Sequence, residues 1–243
     1  MKLAKYLANL GYGSRRETER LIAAGRVTRA NHSRLREGDE CTHVDIRVDG
    51  NSLDLAPGVV LLLHKPVGYV CTTTKGDDTL VYDLLPQRFV LRTPVIAPVG
   101  RLDRETSGLL LLTDDGALNH RITAPRTHVL KTYDVQLASD LCGNEAALFA
   151  SGALMLQSEI HPLLPATLHV VNSRRVHLTV TEGRYHQVRR MFAAANNHVV
   201  ALQRLSIGPI VLGDVAEGAW RVLLPTELAA LRLATTASKP QAP

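Results

Sequence analysis

The chain has 243 residues, of which 45% are hydrophobic and 21% charged, with a net charge of +5, a composition typical of soluble globular proteins with a sizeable core. No apolar run reaches the roughly eighteen residues of a membrane span, and the N-terminus lacks the apolar core of a signal peptide, so we expect a cytoplasmic protein. The three cysteines lie far apart and the ten histidines are scattered, which argues against a disulfide framework and predicts no metal ion or other cofactor.

The positive charge is concentrated near the N-terminus. Residues 1–36 contain nine Lys or Arg and two acidic residues, so this part carries +7 and the rest of the chain −2. Apolar spacing predicts two short helices here, over residues 2–10 and 14–24, and Ser14 with Glu17 three residues later forms a capping box for the second. A concentrated basic surface is typical of a part that binds phosphates.

The second helix and the residues after it resemble the core of an S4-type RNA-binding domain, a small module of ribosomal proteins and of enzymes that modify rRNA. The sequence departs from the S4 pattern at Asn31-His32, where the module usually has an Asn-Gly turn and where a long polar segment follows here. The resemblance implies that the helices present RNA-binding arginines, namely Arg15, Arg16, Arg20 and Arg26.

A boundary between two domains is predicted near residue 57. A hairpin that turns through Asp49-Gly50, with strands over residues 46–48 and 53–55, closes the first part. Pro57-Gly58 follows it and is typical of a linker. The continuous apolar run over residues 59–63 then predicts a buried central strand, with which the second part begins.

The most informative stretch runs from Val99 to Thr113. Its charged residues come directly before Thr-Ser-Gly and four consecutive leucines, so the polar group must lie at the end of a buried strand. Loops at the ends of such strands carry function disproportionately. The residue types alone leave two interpretations open, a catalytic carboxylate and a structural ion pair in a surface turn. The charged residues are Arg101, Asp103, Arg104 and Glu105.

This stretch, read from Gly100 to Gly116, resembles the motif around the catalytic aspartate of pseudouridine synthases, in the branch that modifies ribosomal RNA. The resemblance implies that Asp103 is the essential carboxylate and that Arg101 helps to displace the target base. Upstream, Lys65-Pro66 is similar to the Lys-Pro element with which the catalytic domain of this family begins.

Two further elements follow the motif. Asp115 is predicted to cap a helix over residues 117–122, and alternating apolar residues predict a strand over residues 131–137. Tyr133 lies on the buried face of that strand, where a tyrosine is usually part of the core. The family carries Lys-x-Tyr at this place, so the resemblance implies that Tyr133 stacks on the target base.

Residues 182–192 form the second informative stretch. Helical spacing here would bring His186, Arg189 and Arg190 within one turn, with their positive charge directed towards a shared region. The stretch resembles the Gly-Arg-x-His-Gln-x-Arg element of the synthases, which implies that Arg189 pairs with Asp103. It also implies substrate contacts by two neighbouring side chains, His186 and Gln187.

The last part of the sequence predicts further strands of the sheet, a final helix and a tail. Arg204-Leu205-Ser206-Ile207-Gly208 is similar to the family's Arg-x-x-Ile-Gly, which implies that Ile207 packs against the base opposite Tyr133. A helix that Thr226 caps is predicted to end at about Leu233, and a disordered tail is predicted over residues 234–243. The predicted strands span residues 166–171, 175–181, 198–203 and 219–223.

The resemblance covers residues 1–233 and implies an α+β fold with two domains. Residues 1–57 would form a small S4-like α/β RNA-binding domain, and residues 58–233 a catalytic domain on a mixed, mainly antiparallel sheet flanked by helices. The implied catalytic residues are Asp103, Tyr133 and Arg189, and the implied substrate-binding residues are Arg101, Ile207, Lys65, His186 and Gln187.

The implied function is isomerisation of one uridine of 16S ribosomal RNA, of the 516 type, to pseudouridine. The expected enzyme is a monomer that acts on a flipped-out nucleotide. Its partner is ribosomal RNA or the assembling small subunit, and it needs no membrane. Three alternatives stay open: an enzyme of the same family that acts on large-subunit rRNA, a non-catalytic rRNA-binding or assembly factor, and an N-glycosylase that releases free uracil. Whether Asp103 attacks C1′ or removes a ribose proton also stays open.

Overall fold

A computed structural model of the protein describes residues 2–74 and 76–236. Within these ranges, no helix is both long and apolar enough to cross a membrane. The N-terminal part packs two helices against a small antiparallel sheet with the strand order β1-β2-β3. Its elements are α1 (Leu3–Asn9), α2 (Arg15–Ala23), β1 (Val27–Arg29), β2 (Ile46–Val48) and β3 (Asn51–Ser52).

Local signals in this part act as predicted, with one correction. The Ser14 hydroxyl accepts from the Glu17 amide while the Glu17 carboxylate accepts from the Ser14 amide, which confirms the capping box. The hairpin does turn through Asp49-Gly50, both at positive φ. The predicted second strand over residues 53–55 is wrong, because the two-residue turn pairs Val48 directly with Asn51.

The N-terminal part has its own apolar core and also contacts the rest of the protein. Its core cluster contains Leu3, Leu7, Val27, Leu35, Ile46 and Val48. At the contact with the larger part, the Arg88 guanidinium lies 4.2 Å from the centre of the Tyr12 ring and 2.8 Å from the Asp54 carboxylate. Thr93 N also donates to Asn9 O at 2.9 Å. The contact therefore combines a cation–π interaction, an ion pair and a main-chain hydrogen bond.

The larger part is built on a nine-stranded sheet flanked by helices. Its helices are α3 (Gln87–Val90), α4 (Gly116–Thr123), α5 (Glu145–Ala150), α6 (Gln187–Ala194) and α7 (Pro225–Thr236). Its strands are β4 (Val60–Lys65), β5 (Ala97–Pro98), β6 (Ser107–Thr113), β7 (Lys131–Leu137), β8 (Thr167–Asn172), β9 (Arg175–Val180), β10 (Val199–Ile207), β11 (Ile210–Val211) and β12 (Trp220–Val222).

The strand order β12-β4-β6-β10-β7-β9-β8, with β5 beside β6 and β11 beside β10, confirms a mixed, mainly antiparallel sheet. The pair β6 and β10 is parallel, and the other named pairs are antiparallel. At this parallel junction Gly108 lies beside Arg204, and a Cβ atom on Gly108 would be 2.3 Å from the Arg204 carbonyl oxygen. Glycine at position 108, which also has φ +104, therefore permits the close approach of the two strands.

The four-leucine run is buried on both faces of the sheet. Leu109 and Leu111 pack in one apolar cluster with residues of α4 and α7. Leu110 and Leu112 pack in a second cluster, on the other face, with residues of β4 and of the segment before β5. The run is continuous rather than alternating because both faces of β6 are covered, as predicted.

The C-terminal elements differ from the prediction at their ends. Helix α7 begins at Pro225, and the Glu227 carboxylate accepts from Leu224 N at 2.8 Å, so the predicted cap at Thr226 is wrong. The helix continues to Thr236, which corrects the first three residues of the predicted tail. Residues 237–243 lie outside the described residues.

Candidate active site

A cavity of about 370 Å³ lies where the end of β6 meets β7, β10 and the loop before α6. Such a volume is within the usual range for small-ligand sites. The predicted site residues that line it come from segments far apart in the chain. They are Arg101, Asp103, Tyr133, His186, Gln187 and Ile207.

Asp103 lies on the loop between β5 and β6, with 35% of its side chain exposed. Its carbonyl oxygen accepts from Thr106 N at 3.0 Å, which closes a tight turn just before the strand. Its carboxylate oxygen Oδ1 lies 3.4 Å from His186 Nε2. The acid is therefore held at the edge of the cavity, with an imidazole nitrogen beside its carboxylate.

Lys65 does not line the cavity. The side chain at the end of β4 is fully buried, and its Nζ donates to three carbonyl oxygens, those of Thr106 at 2.7 Å, Pro66 at 2.9 Å and Arg104 at 3.4 Å. Burial lowers the pKa of Lys65. The structure therefore does not place Lys65 at the cavity, as the predicted substrate contact requires, and Lys65 instead fixes the main chain directly after Asp103 from beneath.

The predicted ion pair between Arg189 and Asp103 is wrong. Arg189 Nη2 donates to Glu105 O at 2.9 Å and Nη1 donates to Val199 O at 3.0 Å. The guanidinium lines a second, separate cavity that contains Glu105 and Val199 but not Asp103. Arg189 therefore acts on the Asp103 loop through its main chain, as a positioning residue.

The predicted cluster of His186, Arg189 and Arg190 is also wrong, because the helix starts later than expected. His186 has φ +47 and precedes α6, so its ring turns towards Asp103 instead of following the helical spacing. Arg190 is directed elsewhere and pairs with Glu159 at 2.8 Å. The three side chains, which helical spacing would bring together, therefore contact three different parts of the protein.

Gln187 lines the cavity, but its amide is engaged within the loop. Its Oε1 accepts from Arg184 N at 2.9 Å and its Nε2 donates to Glu182 Oε1 at 3.3 Å. The side chain is buried. These contacts shape the loop that carries His186, so the structure favours a positioning role for Gln187 over the predicted substrate contact.

The sequence model of the RNA pseudouridylate synthase family matches residues 59–194, which include the Asp103 loop, Tyr133 and the start of α6. The chain belongs to the RNA pseudouridylate synthase family. Its activity is therefore an isomerisation, the conversion of uridine to pseudouridine in RNA.

Related synthases match most of the chain. Ribosomal small subunit pseudouridine synthase A of Pasteurella multocida is 39% identical over 232 residues, which cover 94% of this chain and 98% of that protein. The protein of the same name from Escherichia coli strain K12 is 44% identical over 189 residues, 77% of this chain and 80% of that protein. A crystal structure of a pseudouridylate synthase matches with a TM-score of 0.68 and 36% identity, and covers 94% of this chain and 98% of that one.

Sequence reasoning missed two cations of the synthase site, Lys131 and Arg204, which line the cavity beside Tyr133. Lys131 Nζ donates to Val129 O at 3.0 Å, and Arg204 Nε donates to Leu109 O at 2.8 Å. The sequence did contain a signal for both residues. Lys131 is the first residue of Lys-x-Tyr and Arg204 the first residue of Arg-x-x-Ile-Gly, the two motifs that resemble the family. Those motifs drew attention only to their tyrosine and isoleucine.

A stacked aromatic pair at the cavity was missed as well. The rings of Tyr185 and His186 lie 3.9 Å apart at an interplanar angle of 17°. Tyr185 is 72% exposed and lines the same cavity of the synthase as Asp103. The Tyr185 ring covers one face of the His186 ring and so supports the contact of His186 with the carboxylate.

The four arginines predicted to bind RNA are exposed, but they differ in their partners. Arg26 forms two hydrogen bonds of 2.6 Å with the Asp49 carboxylate, and Arg15 lies 3.2 Å from Glu19. Arg16 and Arg20 form no ion pair with the described residues. If the synthase uses this surface for RNA, Arg16 and Arg20 can reach phosphates without giving up an internal partner.

Burial, reinforced by the nearby Arg204 guanidinium, lowers the pKa of Lys131 to about 8. In an NMR titration of the synthase's lysine side chains, one signal is expected to lose its proton near pH 8 and to be absent from Lys131→Arg. Because the unfolded chain keeps this proton to higher pH, the folded state gains stability as the pH rises from about 8 towards the usual lysine value. A Lys131 signal that titrates with the exposed lysines would contradict this prediction.

Proposed function

We propose that the protein converts one uridine of 16S ribosomal RNA, of the 516 type, to pseudouridine, with Asp103 as the catalytic carboxylate. The observation that carries this proposal is the position of Asp103. Its half-exposed carboxylate lies at a cavity of about 370 Å³ whose other lining residues include Tyr133 and Ile207. An acid beside an aromatic and an apolar side chain suits a reaction at a sugar that carries a flat base.

The chemistry requires few groups. The bond from C1′ to N1 breaks, and C1′ then bonds to C5 of the same base, so that neither a redox step nor a phosphate donor is involved. A carboxylate next to the ribose can attack C1′ or remove a ribose proton. The detached base must stay in a closed slot while it turns. Tyr133 on β7 and Ile207 on β10 are the proposed walls of that slot.

The base becomes accessible only when the nucleotide leaves the RNA stack, which costs on the order of a few kcal/mol. Arg101 is exposed and lines the cavity next to Asp103. It is the proposed residue that occupies the vacated place in the RNA. Contacts between phosphates and the N-terminal arginines would supply further, salt-sensitive affinity.

Ribosomal RNA is the proposed substrate because relatives that match nearly the whole chain are named small subunit pseudouridine synthases. The predicted S4-like domain of residues 1–57, with exposed Arg16 and Arg20 on α2, is the proposed anchor on the RNA. One chain provides all of the proposed catalytic residues, so we propose a monomer. An enzyme of ribosomal RNA works where ribosomes assemble, so we propose that it acts in the cytoplasm.

The test is an assay of the purified protein on transcripts of 16S and 23S rRNA, with chemical mapping of pseudouridine and chromatography of the products. Pseudouridine at one 16S position is the expected result. Modification of the 23S transcript alone would favour the large-subunit alternative, and free uracil would identify an N-glycosylase. Binding without any product on transcripts or on assembling subunits would identify a non-catalytic factor.

A further inference from the structure

Three cations surround the inner end of the active site, and none has a carboxylate within 4.0 Å among the described residues. Lys65 and Arg204 are buried, and Lys131 is half-buried. The hydrogen bonds that they donate end on main-chain carbonyl oxygens, including those of Thr106, Val129 and Leu109. The carbonyl dipoles satisfy donors but carry no net charge. The carboxylates of Asp103 and Glu105 attract Lys65 from a distance, whereas Lys131 is close to another cation, Arg204.

Such an arrangement is costly in a protein without ligand. A buried charge usually has a counter-charge, since removing it from water is otherwise unfavourable. One nitrogen of the Arg204 guanidinium, Nη2, is buried and has no hydrogen-bond partner. The same guanidinium lowers the pKa of Lys131, so the two cations also repel each other. An anion that enters with the substrate would remove both penalties.

We propose that Lys131 and Arg204 stabilise the detached uracil as its anion during the reaction. This inference rests on the proposed function and assigns to these two residues a role that Asp103 and Tyr133 do not cover. Lys65 is excluded from the role because its ammonium is bound to three carbonyl oxygens and does not line the cavity.

The proposed step balances in atoms and electrons. When the bond between C1′ and N1 breaks, its electron pair leaves with N1, and the base carries one negative charge shared among N1 and the two carbonyl oxygens. C1′ is taken by an Asp103 oxygen, or the ribose loses a proton to Asp103. After the base turns, C5 bonds to C1′ as the bond between C1′ and the Asp103 oxygen breaks, or as Asp103 returns the proton to the ribose. C5 later loses its proton, while N1 takes one up. The negative charge on the base exists only after the bond between C1′ and N1 breaks and before the bond between C1′ and C5 forms. Cations that face the base therefore stabilise this stage and accelerate the reaction.

The location favours the base over an RNA phosphate as the anion. In the sheet Arg204 pairs directly with Tyr133, the proposed stacking residue, and Lys131 pairs with Ile207, the proposed opposite wall. Each cation thus lies directly opposite, on the neighbouring strand, one of the two residues proposed to hold the base. Phosphates of a polymer stay nearer the surface, where the exposed Arg101 is available.

The experiment compares Lys131→Met with the charge-preserving Lys131→Arg on two RNAs that carry uridine or 5-fluorouridine at the target position. Fluorine stabilises the detached base anion, so this substrate needs less help from a cation. We expect Lys131→Met to slow the single-turnover loss of the target uridine by about 100-fold and that of 5-fluorouridine by only about 10-fold. The Kd for RNA should change by less than about twofold, and Lys131→Arg should keep most of the rate.

Two results would overturn the inference. An equal loss on both RNAs would show that Lys131 does not act on the anion, and a weaker Kd with an unchanged rate would identify a phosphate contact. If thermal unfolding shows that Lys131→Met is not folded, Lys131→Gln replaces it, because the glutamine amide keeps a donor for Val129 O. A wild-type protein that forms no pseudouridine on any RNA would refute the proposed function itself, which separates the two failures.

Discussion

An Asp103→Asn variant is expected to lose pseudouridine formation by about 10³-fold or more, because an amide can neither attack C1′ nor take a ribose proton. The substitution preserves shape, and the carboxylate's side-chain neighbour is the His186 ring nitrogen at 3.4 Å, so the fold should survive. The measurement is single-turnover pseudouridine formation on 16S rRNA, with thermal unfolding as the check on folding. Tight adducts with RNA that contains 5-fluorouridine should disappear in the same variant.

A matched control is available on the same loop. Glu105 is exposed, and its side chain does not line the Asp103 cavity, so Glu105→Gln removes a carboxylate two residues away without touching the proposed chemistry. This variant should keep its rate within about twofold of the wild type. If Asp103→Asn retained a comparable rate, Asp103 would not be the catalytic carboxylate, and the site would need another acid.

Local signals in the sequence were sufficient for most elements of the fold. The capping box at Ser14, the cap at Asp115 and the four-leucine strand depend on neighbouring residues, and the structure confirms each of them. Local signals could not predict the parallel pairing of β6 with β10, because this pairing joins segments about a hundred residues apart. In the sequence, nothing distinguishes the glycine at this junction, Gly108, from the other residues of its motif.

The site was predicted less completely, for reasons that lie in single residues. The left-handed conformation of His186 places its ring before α6 and towards Asp103, while Arg189 and Arg190, inside the helix, contact Glu105 O and the Glu159 carboxylate. The sequence shows no signal that a histidine would adopt positive φ there. It likewise could not show that Lys65, a charged residue after an apolar run, is buried beneath the loop instead of facing the substrate.

Lys65→Met is expected to have the largest effect on stability, with a loss of about 2–3 kcal/mol in the free energy of unfolding. Two opposing effects set this value. Methionine removes the cost of burying an ammonium, but the carbonyl oxygens of Pro66, Arg104 and Thr106 lose its hydrogen bonds in a site that water does not reach, at about 1–3 kcal/mol for each acceptor left unsatisfied. Arg104 O keeps one other donor, Gly68 N at 2.8 Å.

The same substitution should also lower the rate, since the loop that carries Asp103 loses its attachment to β4. A fall in kcat with an unchanged Kd for RNA distinguishes this effect from lost substrate binding, which would raise the Kd instead. Urea unfolding gives the stability, and Lys5→Met, on the exposed side of α1, is the control for removal of a lysine charge. Unchanged unfolding together with a weaker Kd would restore Lys65 to the substrate contact that the sequence first indicated. A stable, fully active variant would mean that Arg189, through Glu105 O at 2.9 Å, holds the loop by itself.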